Sequence, residues 1–452
     1  MEEVVLSKSQ QEIVDKFPGY LLSSDREFTI SGYAGSGKTF LVQYLTKMAP
    51  AQQKMVQLLD PSINPRSFTY TATTNKAAEV LRGTLQQHTA TIHSTLGLRV
   101  MNDYKTGKQT LKQHKPPTSL DNTILFIDEA SMINDQLLGS IRDAVRQYAD
   151  CKIVYIGDAY QLPPVKEDTC PVFRAGMKNT YFLSEIQRQV EGSPIIQLSS
   201  KYREMLDDTT LDWPVIPHDG ETIFRYEDKE SYFDALRTAF TAPHEPDDLK
   251  IVAWKNSRVN EYNDWIRKLL GYTEAIQSGD IVTTNKPMFC NRAIVAPTDY
   301  RMEVETVSRG KDRMDGRWEV DGFWVTFKEW GSGVRVFRPQ SWTDVNVLTK
   351  QLAKDKDWGP FFKIKEDWAD LRPIHASTVH KAQGSTYKEV FIDLANIGTN
   401  TRWRDVVRLI YVAITRASHK VHLYGDITVN HTKKDAVDPL ESFKDVQSLL
   451  QF

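Results

Sequence analysis

The segment GYAGSGKT at residues 32–39 constrains the fold of this chain more than any other part of its sequence. It fits the pattern G-x-x-x-x-G-K-[ST], in which glycines let the backbone curl until its N–H groups face phosphate oxygens. The β-favouring run FTIS at 28–31 precedes the segment, and the helical run TFLVQYLTKM follows its lysine. This strand–loop–helix order predicts a parallel α/β fold that binds the phosphates of a nucleotide at the start of a helix.

The loop and one later strand supply a predicted site for ATP and Mg²⁺. Lys38 offers a positive charge to the β- and γ-phosphates, and Thr39 offers a hydroxyl to magnesium. Asp128 ends the apolar run ILFID, where a carboxylate can hold the same ion, and Glu129 can orient and deprotonate an attacking water. Alone, such an acidic pair is a common surface turn, so its interpretation depends on the loop. Further nucleotide contacts are predicted for Gly32, Gly35, Ser36 and Gly37.

The composition argues against a membrane or secreted protein. With 452 residues, of which 40% are hydrophobic and 26% charged, the chain is typical of a globular protein of roughly two to four domains. It has no apolar run long enough to span a membrane, no apolar signal segment at its start, and three cysteines without C-x-x-C spacing. We therefore expect a cytoplasmic protein without a zinc site or a disulfide framework. Because the net charge is −2, a nucleic-acid partner would need a local basic groove.

Two sets of strand-like runs alternate with helical patterns and predict two α/β halves. The runs lie at 28–31, 68–73, 123–128 and 152–158, and again at 249–256, 389–394 and 420–426. Between the late runs, residues 279–373 are strand-like and rich in turns, which predicts a small, mostly β insertion. Its tryptophans are interpreted as a compact core, with a base-stacking platform as the alternative. They are Trp318, Trp324, Trp330, Trp342, Trp358 and Trp368.

A shorter segment at 98–115 looks like a β-hairpin that turns at Thr106 and Gly107. It carries five basic residues against a single acid, Asp103. A run of charge is usually a solvated face, but five basic residues on a short hairpin are equally consistent with contacts to phosphates. The basic residues are Arg99, Lys105, Lys108, Lys112 and Lys115.

Three later segments carry a family resemblance. GDAYQLPPV at 157–165, STVHKAQGST at 377–386 and RLIYVAITRAS at 408–418 follow the phosphate loop and IDEAS in that order. Together they resemble the motifs of superfamily 1 helicases, and most closely the B branch with its RecD-like and Dda-type phage helicases. The resemblance implies two RecA-like P-loop NTPase domains with parallel sheets, a β-hairpin insertion in the first and an SH3-like β insertion in the second. The implied domains are 1–96 with 119–183, the hairpin 97–118, 184–278 with 374–452, and the insertion 279–373.

The resemblance also assigns nucleotide contacts outside the phosphate loop. Gln161 would sense the γ-phosphate, although a lone glutamine in a loop is usually a surface residue. Arg188 and Arg416 would neutralise charge on the transferring phosphate from the second half, against the alternative of surface salt bridges. Gln383 and Gly384 would approach the nucleotide. Gln10 would read adenine, with the adjacent Gln11 as the alternative register.

A second set of residues is implied to hold single-stranded DNA. Hydroxyl, amide and backbone N–H groups bind phosphates without reading bases, as movement along any sequence requires. Thr73 stands where the family often has a proline. For each residue implied to contact DNA, the alternative is an ordinary role in a turn or a helix cap. The implied DNA contacts are Thr74, Asn75, Lys76, Thr91, His93, Thr378 and His380.

The resemblance implies an ATP hydrolase that translocates on single-stranded DNA and unwinds duplexes in the 5′ to 3′ direction. The hairpin would separate strands at the single-strand/duplex junction, and the β insertion would brace the hairpin or guide the strand. We expect a functional monomer, a phage replication or recombination accessory in the host cytoplasm, with single-strand-binding or replisome proteins as partners. Three alternatives stay open: a superfamily 1 motor on RNA, a P-loop kinase or small-molecule NTPase, and a clamp that binds ATP without turnover.

Overall fold

A computed structural model describes residues 5–148, 150–164, 167–174, 178–185, 193–290, 293–314 and 318–427. The predicted nucleotide contact Arg188 lies outside these ranges. Within them, every helix is too short or too polar to cross a lipid bilayer.

The first half is built on a six-stranded parallel sheet in the order β3-β2-β6-β7-β1-β8. Its strands are β1 (Glu27–Gly32), β2 (Ser67–Ala72), β3 (Thr89–Thr91), β6 (Thr123–Asp128), β7 (Cys151–Gly157) and β8 (Thr180–Leu183). The accompanying helices are α1 (Lys8–Leu22), α2 (Lys38–Leu59), α3 (Asn75–Leu85), α4 (Ile92–Thr95) and α5 (Asp135–Arg146).

The central strands of this sheet are buried on both faces, which explains their nearly continuous apolar sequence. Ile124 and Phe126 of β6 join a core cluster that includes residues of α1 and α2. Leu125 and Ile127, which alternate with them, pack in a second cluster that includes residues of α5. Helices therefore cover both faces, and the carboxyl ends of the parallel strands form one edge where the phosphate loop begins.

The second half repeats this architecture with a five-stranded parallel sheet in the order β18-β10-β19-β20-β9. Its strands are β9 (Ile223–Tyr226), β10 (Leu249–Ala253), β18 (Ala376–Thr378), β19 (Tyr387–Asp393) and β20 (Ala417–Tyr424). Its helices are α6 (Pro194–Asp207), α7 (Lys229–Thr241), α8 (Asn256–Leu269), α11 (Val379–Ala382), α12 (Leu394–Ile397) and α13 (Trp403–Ile414). The predicted pair of α/β halves is confirmed, while the boundaries between the domains stay a prediction.

The insertion contains an antiparallel sheet in the order β16-β15-β14-β11-β17 and a separate strand pair. The sheet strands are β11 (Ile281–Thr284), β14 (Arg301–Met314), β15 (Trp318–Phe327), β16 (Gly331–Pro339) and β17 (Leu371–Pro373), and the pair is β12 (Met288–Cys290) with β13 (Ala293–Ala296). Two helices follow β16, α9 (Trp342–Lys354) and α10 (Trp358–Asp367). The strands are predicted from the sequence, and these two helices are not.

The tryptophans of the insertion form mainly core contacts. Trp368 is fully buried, and Trp318, Trp324 and Trp342 pack partly buried in the same cluster. Trp330 packs against the core of the antiparallel sheet. The compact-core interpretation is therefore supported for these five side chains over the base-stacking platform.

The predicted hairpin is present as β4 (Leu98–Asn102) paired antiparallel with β5 (Gln109–Gln113). Gly107 in the turn has φ of +71°, a conformation that favours glycine. The hairpin rests on α10 of the insertion. The Tyr104 hydroxyl donates to Glu366 Oε2 at 3.0 Å, and a Cβ built on Gly107 would lie 2.5 Å from the ring of Trp358.

Candidate nucleotide cleft and nucleic-acid groove

The phosphate loop connects β1 to α2 and carries two left-handed glycines. Gly35 and Gly37 have φ of 81° and 80°, so the backbone curls tightly ahead of the helix. The Lys38 ammonium donates to the carbonyl oxygens of Gly32 and Tyr33, each at 2.8 Å. The buried Ser36 hydroxyl has no hydrogen-bond partner within the described part of the chain. Phosphate oxygens could accept a hydrogen bond from this hydroxyl and attract the ammonium.

The two predicted carboxylates lie where β6 ends. The backbone N–H of Glu129 donates to Asp128 Oδ1 at 2.8 Å, and Glu129 itself has φ of 52°. Burial raises the pKa of Asp128 above its usual value, as does the neighbouring Glu129 carboxylate, while the Glu129 N–H and Lys38 oppose this rise. Glu129 Oε2 is buried with no hydrogen-bond partner among the described residues. A bound cation or water would satisfy this acidic pair.

Residues 378–385 of the second half reach across to these carboxylates. Gln383 donates from Nε2 to the hydroxyl of Ser131 at 3.1 Å. Gly384 has φ of 78°, and a Cβ built on it would lie 3.7 Å from Glu129 Oε1. The structure therefore brings Gln383 and Gly384 together with the predicted catalytic carboxylate of the other half.

A buried hydrogen-bond chain joins the phosphate loop to Asp158 through α13. The Tyr411 hydroxyl donates to Asp158 Oδ2 at 2.8 Å and accepts the backbone N–H of Ala34 at 3.2 Å. Gln161 also donates to Asp158 Oδ2, at 3.4 Å, and its own Oε1 is buried without a partner among the described residues. Gln161 is thus a buried residue of the cleft, and the surface alternative is wrong.

A cation that is not predicted from the sequence lies at the phosphate loop. The Arg203 guanidinium, presented by α6 of the second half, lies 3.6 Å from the centre of the Tyr33 ring. Tyr33 also contacts Tyr160, whose hydroxyl donates to Asp207 of α6 at 2.9 Å. No sequence motif marks this pair, because its members come from distant segments.

Arg416, which is predicted to neutralise charge on the transferring phosphate, is held inside the second half. Arg416 is buried, and its guanidinium donates to the carbonyl oxygens of Val412 and Ser385 at 3.1 and 3.0 Å and to the Thr415 hydroxyl at 3.1 Å. The surface salt-bridge alternative is wrong for Arg416, and its role toward phosphate stays a prediction. In this arrangement it supports the segment that carries Gly384.

Gln10 has a structural role at the start of α1. It closes a capping box, in which its Oε1 accepts the backbone N–H of Ser7 at 3.1 Å while its own N–H donates to the Ser7 hydroxyl. The neighbouring Gln11 is exposed and donates to Asp15. Gln10 is thus the buried member of the pair. A contact with adenine through both amide atoms would use the same Gln10 Oε1 that accepts the Ser7 N–H.

A groove of about 690 Å³ runs between the two halves and the insertion. Four of the predicted DNA contacts line it, and Thr74, His93 and His380 are not among its lining residues. Burial lowers the pKa values of His93 and His380, which makes both histidines neutral near neutral pH.

Six lysine and arginine side chains also line the groove, and only some of them lie in the sequence motifs. They come from both halves and from the insertion, so the predicted local basic groove is assembled from distant segments of the chain. These cations are Lys76, Arg82, Lys250, Arg301, Arg372 and Lys381.

Three predicted DNA-binding threonines act as helix N-caps. The Thr74 hydroxyl accepts the backbone N–H of Ala77 at 3.2 Å, and Thr91 and Thr378 cap α4 and α11 in the same way. The capping alternative is therefore confirmed for all three. Because a hydroxyl that accepts one hydrogen bond can still donate another, capping is compatible with a contact to phosphate.

The other two predicted contacts on α3 are held by protein side chains and backbone. Asn75 donates from Nδ2 to the carbonyl oxygen of Thr298 in the insertion at 3.1 Å. Lys76 pairs with Glu79 at 3.3 Å and stays partly exposed in the groove. Of these two residues, Lys76 is therefore better placed than Asn75 to contact a phosphate in the groove.

The fold and these sites define a P-loop nucleotide-binding protein made of two parallel α/β halves with a groove between them. The sequence matches the AAA domain family over residues 5–213 and the UvrD-like helicase C-terminal domain family over residues 373–424. These matches confirm the resemblance of the chain to the superfamily 1 helicases of the RecD/Pif1 type.

Individual relatives are similar along most of their length. The ATP-dependent DNA helicase dda of Enterobacteria phage T4 is 24% identical, with 87% of this chain and 93% of the relative covered. The ATP-dependent DNA helicase Pif1 of Bdellovibrio bacteriovorus is 23% identical, with 94% and 89% covered. A solved structure of two coordinating Pif1 helicases that unwind forked double-stranded DNA has the same fold, with a TM-score of 0.53, 16% identity, and 99% and 98% covered.

Proposed function

We propose that this protein is an ATP-dependent DNA helicase that moves along single-stranded DNA from 5′ to 3′. Relatives of similar length carry the name ATP-dependent DNA helicase, and the nucleotide cleft has the chemistry that ATP hydrolysis needs. The alternative of a P-loop kinase or small-molecule NTPase leaves the groove and the second half without a purpose. A cytoplasmic replication or recombination accessory that works as a monomer is part of this proposal.

One observation carries the proposal: two short segments each connect the nucleotide cleft to the groove. In the first half, Thr73 donates to the backbone carbonyl oxygens of Asp128 and Glu129, and Lys76 lines the groove three residues later. In the second half, Thr378 lines the groove, and Gly384 faces Glu129. A change in the cleft would therefore move both walls of the groove.

The cleft residues would divide the chemistry among them. The phosphate loop and Lys38 would hold the phosphates, and Glu129 would take a proton from the attacking water. Thr39 and Asp128 would hold Mg²⁺, which supplies charge neutralisation on the phosphates when bound. The half-buried acidic pair and the unpaired Ser36 hydroxyl fit such a ligand set. Gln161 would respond to the γ-phosphate, and Arg188 and Arg416 would approach it as the cleft closes.

Cleft closure and opening would drive the stepping. With nucleotide bound, the segment at 383–384 and the carboxylate pair would stay together, and the groove walls would approach each other. Loss of phosphate would let them separate, so that grip on the strand alternates between the residues of α3 and those of α11. Phosphate contacts from both walls would hold any sequence.

The hairpin of β4 and β5 would separate the strands at the junction. Its contacts with α10 support a rigid wedge, since Tyr104 bonds to Glu366 and its ring meets Phe362 edge to face at 5.0 Å. The insertion would therefore brace the hairpin.

The first experiment compares ATP hydrolysis by the wild type and Lys38→Ala, each with and without oligo-dT. Lys47→Ala, an exposed lysine on the same helix, is the matched control. We expect stimulation by oligo-dT in the wild type and in the control, and almost no hydrolysis in Lys38→Ala. Absence of any stimulation in the wild type would contradict a motor on nucleic acid, and stronger stimulation by poly-U would indicate a motor on RNA.

The same preparations are then tested for unwinding of duplexes that carry only a 5′ or only a 3′ single-stranded tail. Unwinding from the 5′ tail alone is the expected result. Unwinding from the 3′ tail alone would retain the motor and reverse its direction.

A further inference from the structure

The groove contains one aromatic side chain that stands out by its exposure. Two tyrosines line the groove, Tyr300 and Tyr387. Tyr387 is 7% exposed, whereas Tyr300 is 38% exposed. Cationic side chains from both halves and from the insertion line the same groove, together with the acids Glu79, Asp247 and Asp299. An exposed ring among phosphate-binding cations is the combination by which proteins hold single strands through base stacking.

The ring of Tyr300 has a firm backing. It lies against Trp330, with ring centres 5.8 Å apart and planes tilted by 30°. Trp330 in turn meets Phe327, which is fully buried in the core of the antiparallel sheet. Because the ring is supported from the protein side, stacking with a base would cost little side-chain entropy.

The turn that carries Tyr300 is fixed by hydrogen bonds to β11. The Thr284 hydroxyl accepts the backbone N–H of Tyr300 at 2.9 Å and donates to the carbonyl oxygen of Pro297 at 2.6 Å. The backbone N–H of Asp299 donates to the carbonyl oxygen of Thr284 at 2.9 Å. The turn therefore presents the ring in one place.

Both walls of the groove also contact this turn. Asn75 of α3 donates to the carbonyl oxygen of Thr298 at 3.1 Å, and Lys381 of α11 pairs with Asp299 at 2.9 Å. The turn thus lies where the two proposed gripping segments meet, and Tyr300 directly follows Asp299 and lies two residues after Thr298.

We propose that Tyr300 is a DNA-binding residue that stacks on a base of single-stranded DNA in the groove. This inference rests on the proposed function, because it places the strand in the same groove. It assigns the base-stacking role to an exposed tyrosine at the edge of the insertion, while five of the six tryptophans pack in its core. Stacking accepts every base, so the contact would add affinity without sequence preference.

The test is the affinity of the full chain for fluorescent oligo-dT, measured by anisotropy without nucleotide. We expect Tyr300→Leu to weaken binding by roughly 5- to 150-fold, the range that loss of one base–aromatic stack produces. Tyr300→Phe keeps the ring and should bind within about twofold of the wild type. Val347→Ala, exposed on α9 and outside the groove, is the control and should bind oligo-dT as the wild type does.

Oligonucleotides with a single abasic site at successive positions separate stacking from a structural effect. For the wild type, the abasic site should weaken binding strongly at one position, and Tyr300→Leu should lose that dependence. Equal binding by Tyr300→Leu and the wild type, or an abasic profile that the variant leaves unchanged, would overturn the inference alone. Failure of the wild type to bind oligo-dT would overturn the proposed function as well.

Discussion

The guanidinium of Arg203 lies 3.6 Å from the centre of the Tyr33 ring, so a cation of the second half touches the phosphate loop of the first. Tyr33 is the residue whose carbonyl oxygen also accepts a hydrogen bond from Lys38. The position of this loop residue is therefore set from both sides, by Lys38, which is proposed to bind phosphate, and by α6 of the second half.

We predict that Arg203→Ala lowers kcat/KM of DNA-stimulated ATP hydrolysis by roughly 2- to 30-fold, the range expected for one cation–π contact. Tyr33→Leu should have the same effect, and the double variant should be no worse than either single variant. Tyr33→Phe keeps the ring and should resemble the wild type. Lys201→Ala, exposed on the same helix, is the control. Additive losses in the double variant would show that the two residues act separately.

Tyr411 supplies the second prediction, because its hydroxyl links Asp158 to the backbone of Ala34. Tyr411→Phe removes a buried hydrogen bond and should destabilise the protein by about 1–3 kcal/mol. We also expect the ratio of ATP hydrolysis with and without oligo-dT to fall, since the link joins the phosphate loop to α13. Tyr424→Phe, whose ring packs on Tyr232 in the second half, is the control. A lower unfolding temperature with an unchanged ratio would limit Tyr411 to a structural role.

The sequence predicts those parts of the fold and the site that depend on local chemistry. The left-handed glycines Gly35 and Gly37, the carboxylates after β6 and the hairpin turn at Gly107 all follow from neighbouring residues. The Arg203–Tyr33 contact could not be predicted, because it depends on how the two halves pack. The burial of Arg416 depends on packing in the same way.

The missed helix α9 shows a different limit, since its signals are present in the sequence. Ser341 caps the helix by accepting the backbone N–H of Asp344, and Val345, Leu348 and Leu352 repeat at helical spacing. The surrounding tryptophans and turn residues favour strands and outweigh this short pattern. Local patterns compete here, and packing of Val345 and Leu352 in the core decides the outcome.

His375 should make stability depend on pH. Burial, with the nearby charges of Lys250 and Arg267, lowers the pKa of His375 to about 3, below the ordinary value of 6.5. The unfolded chain therefore binds a proton between these values while the folded chain does not, so stability falls as the pH drops through 6.5. Between about pH 7.5 and about pH 5.5 this one site should cost about 1.4 kcal/mol.

The measurement compares thermal unfolding of the wild type and His375→Phe at both pH values. The variant keeps a ring against Phe240, which the histidine meets edge-on at 5.9 Å. We expect a smaller drop in unfolding temperature for the variant on acidification, whatever its stability at neutral pH. His93, His380 and His422 also have lowered pKa values, and they contribute equally to both proteins. Equal drops in the two proteins would contradict the role of His375.

The contact between the hairpin and α10 gives the last prediction, which distinguishes strand separation from movement along DNA. Trp358 lies under the turn at Gly107, and Glu366 accepts the hydroxyl of Tyr104. Trp358→Ala and Glu366→Ala should each slow unwinding of a 5′-tailed duplex by about fivefold, the factor that about 1 kcal/mol of lost contact produces. ATP hydrolysis with oligo-dT should stay within about twofold of the wild type, because neither residue lines the groove.

Val347→Ala, exposed on α9, is the control. If hydrolysis with oligo-dT and unwinding fell together in both variants, α10 would support the motor itself, and the hairpin would lose its assignment as a separate wedge.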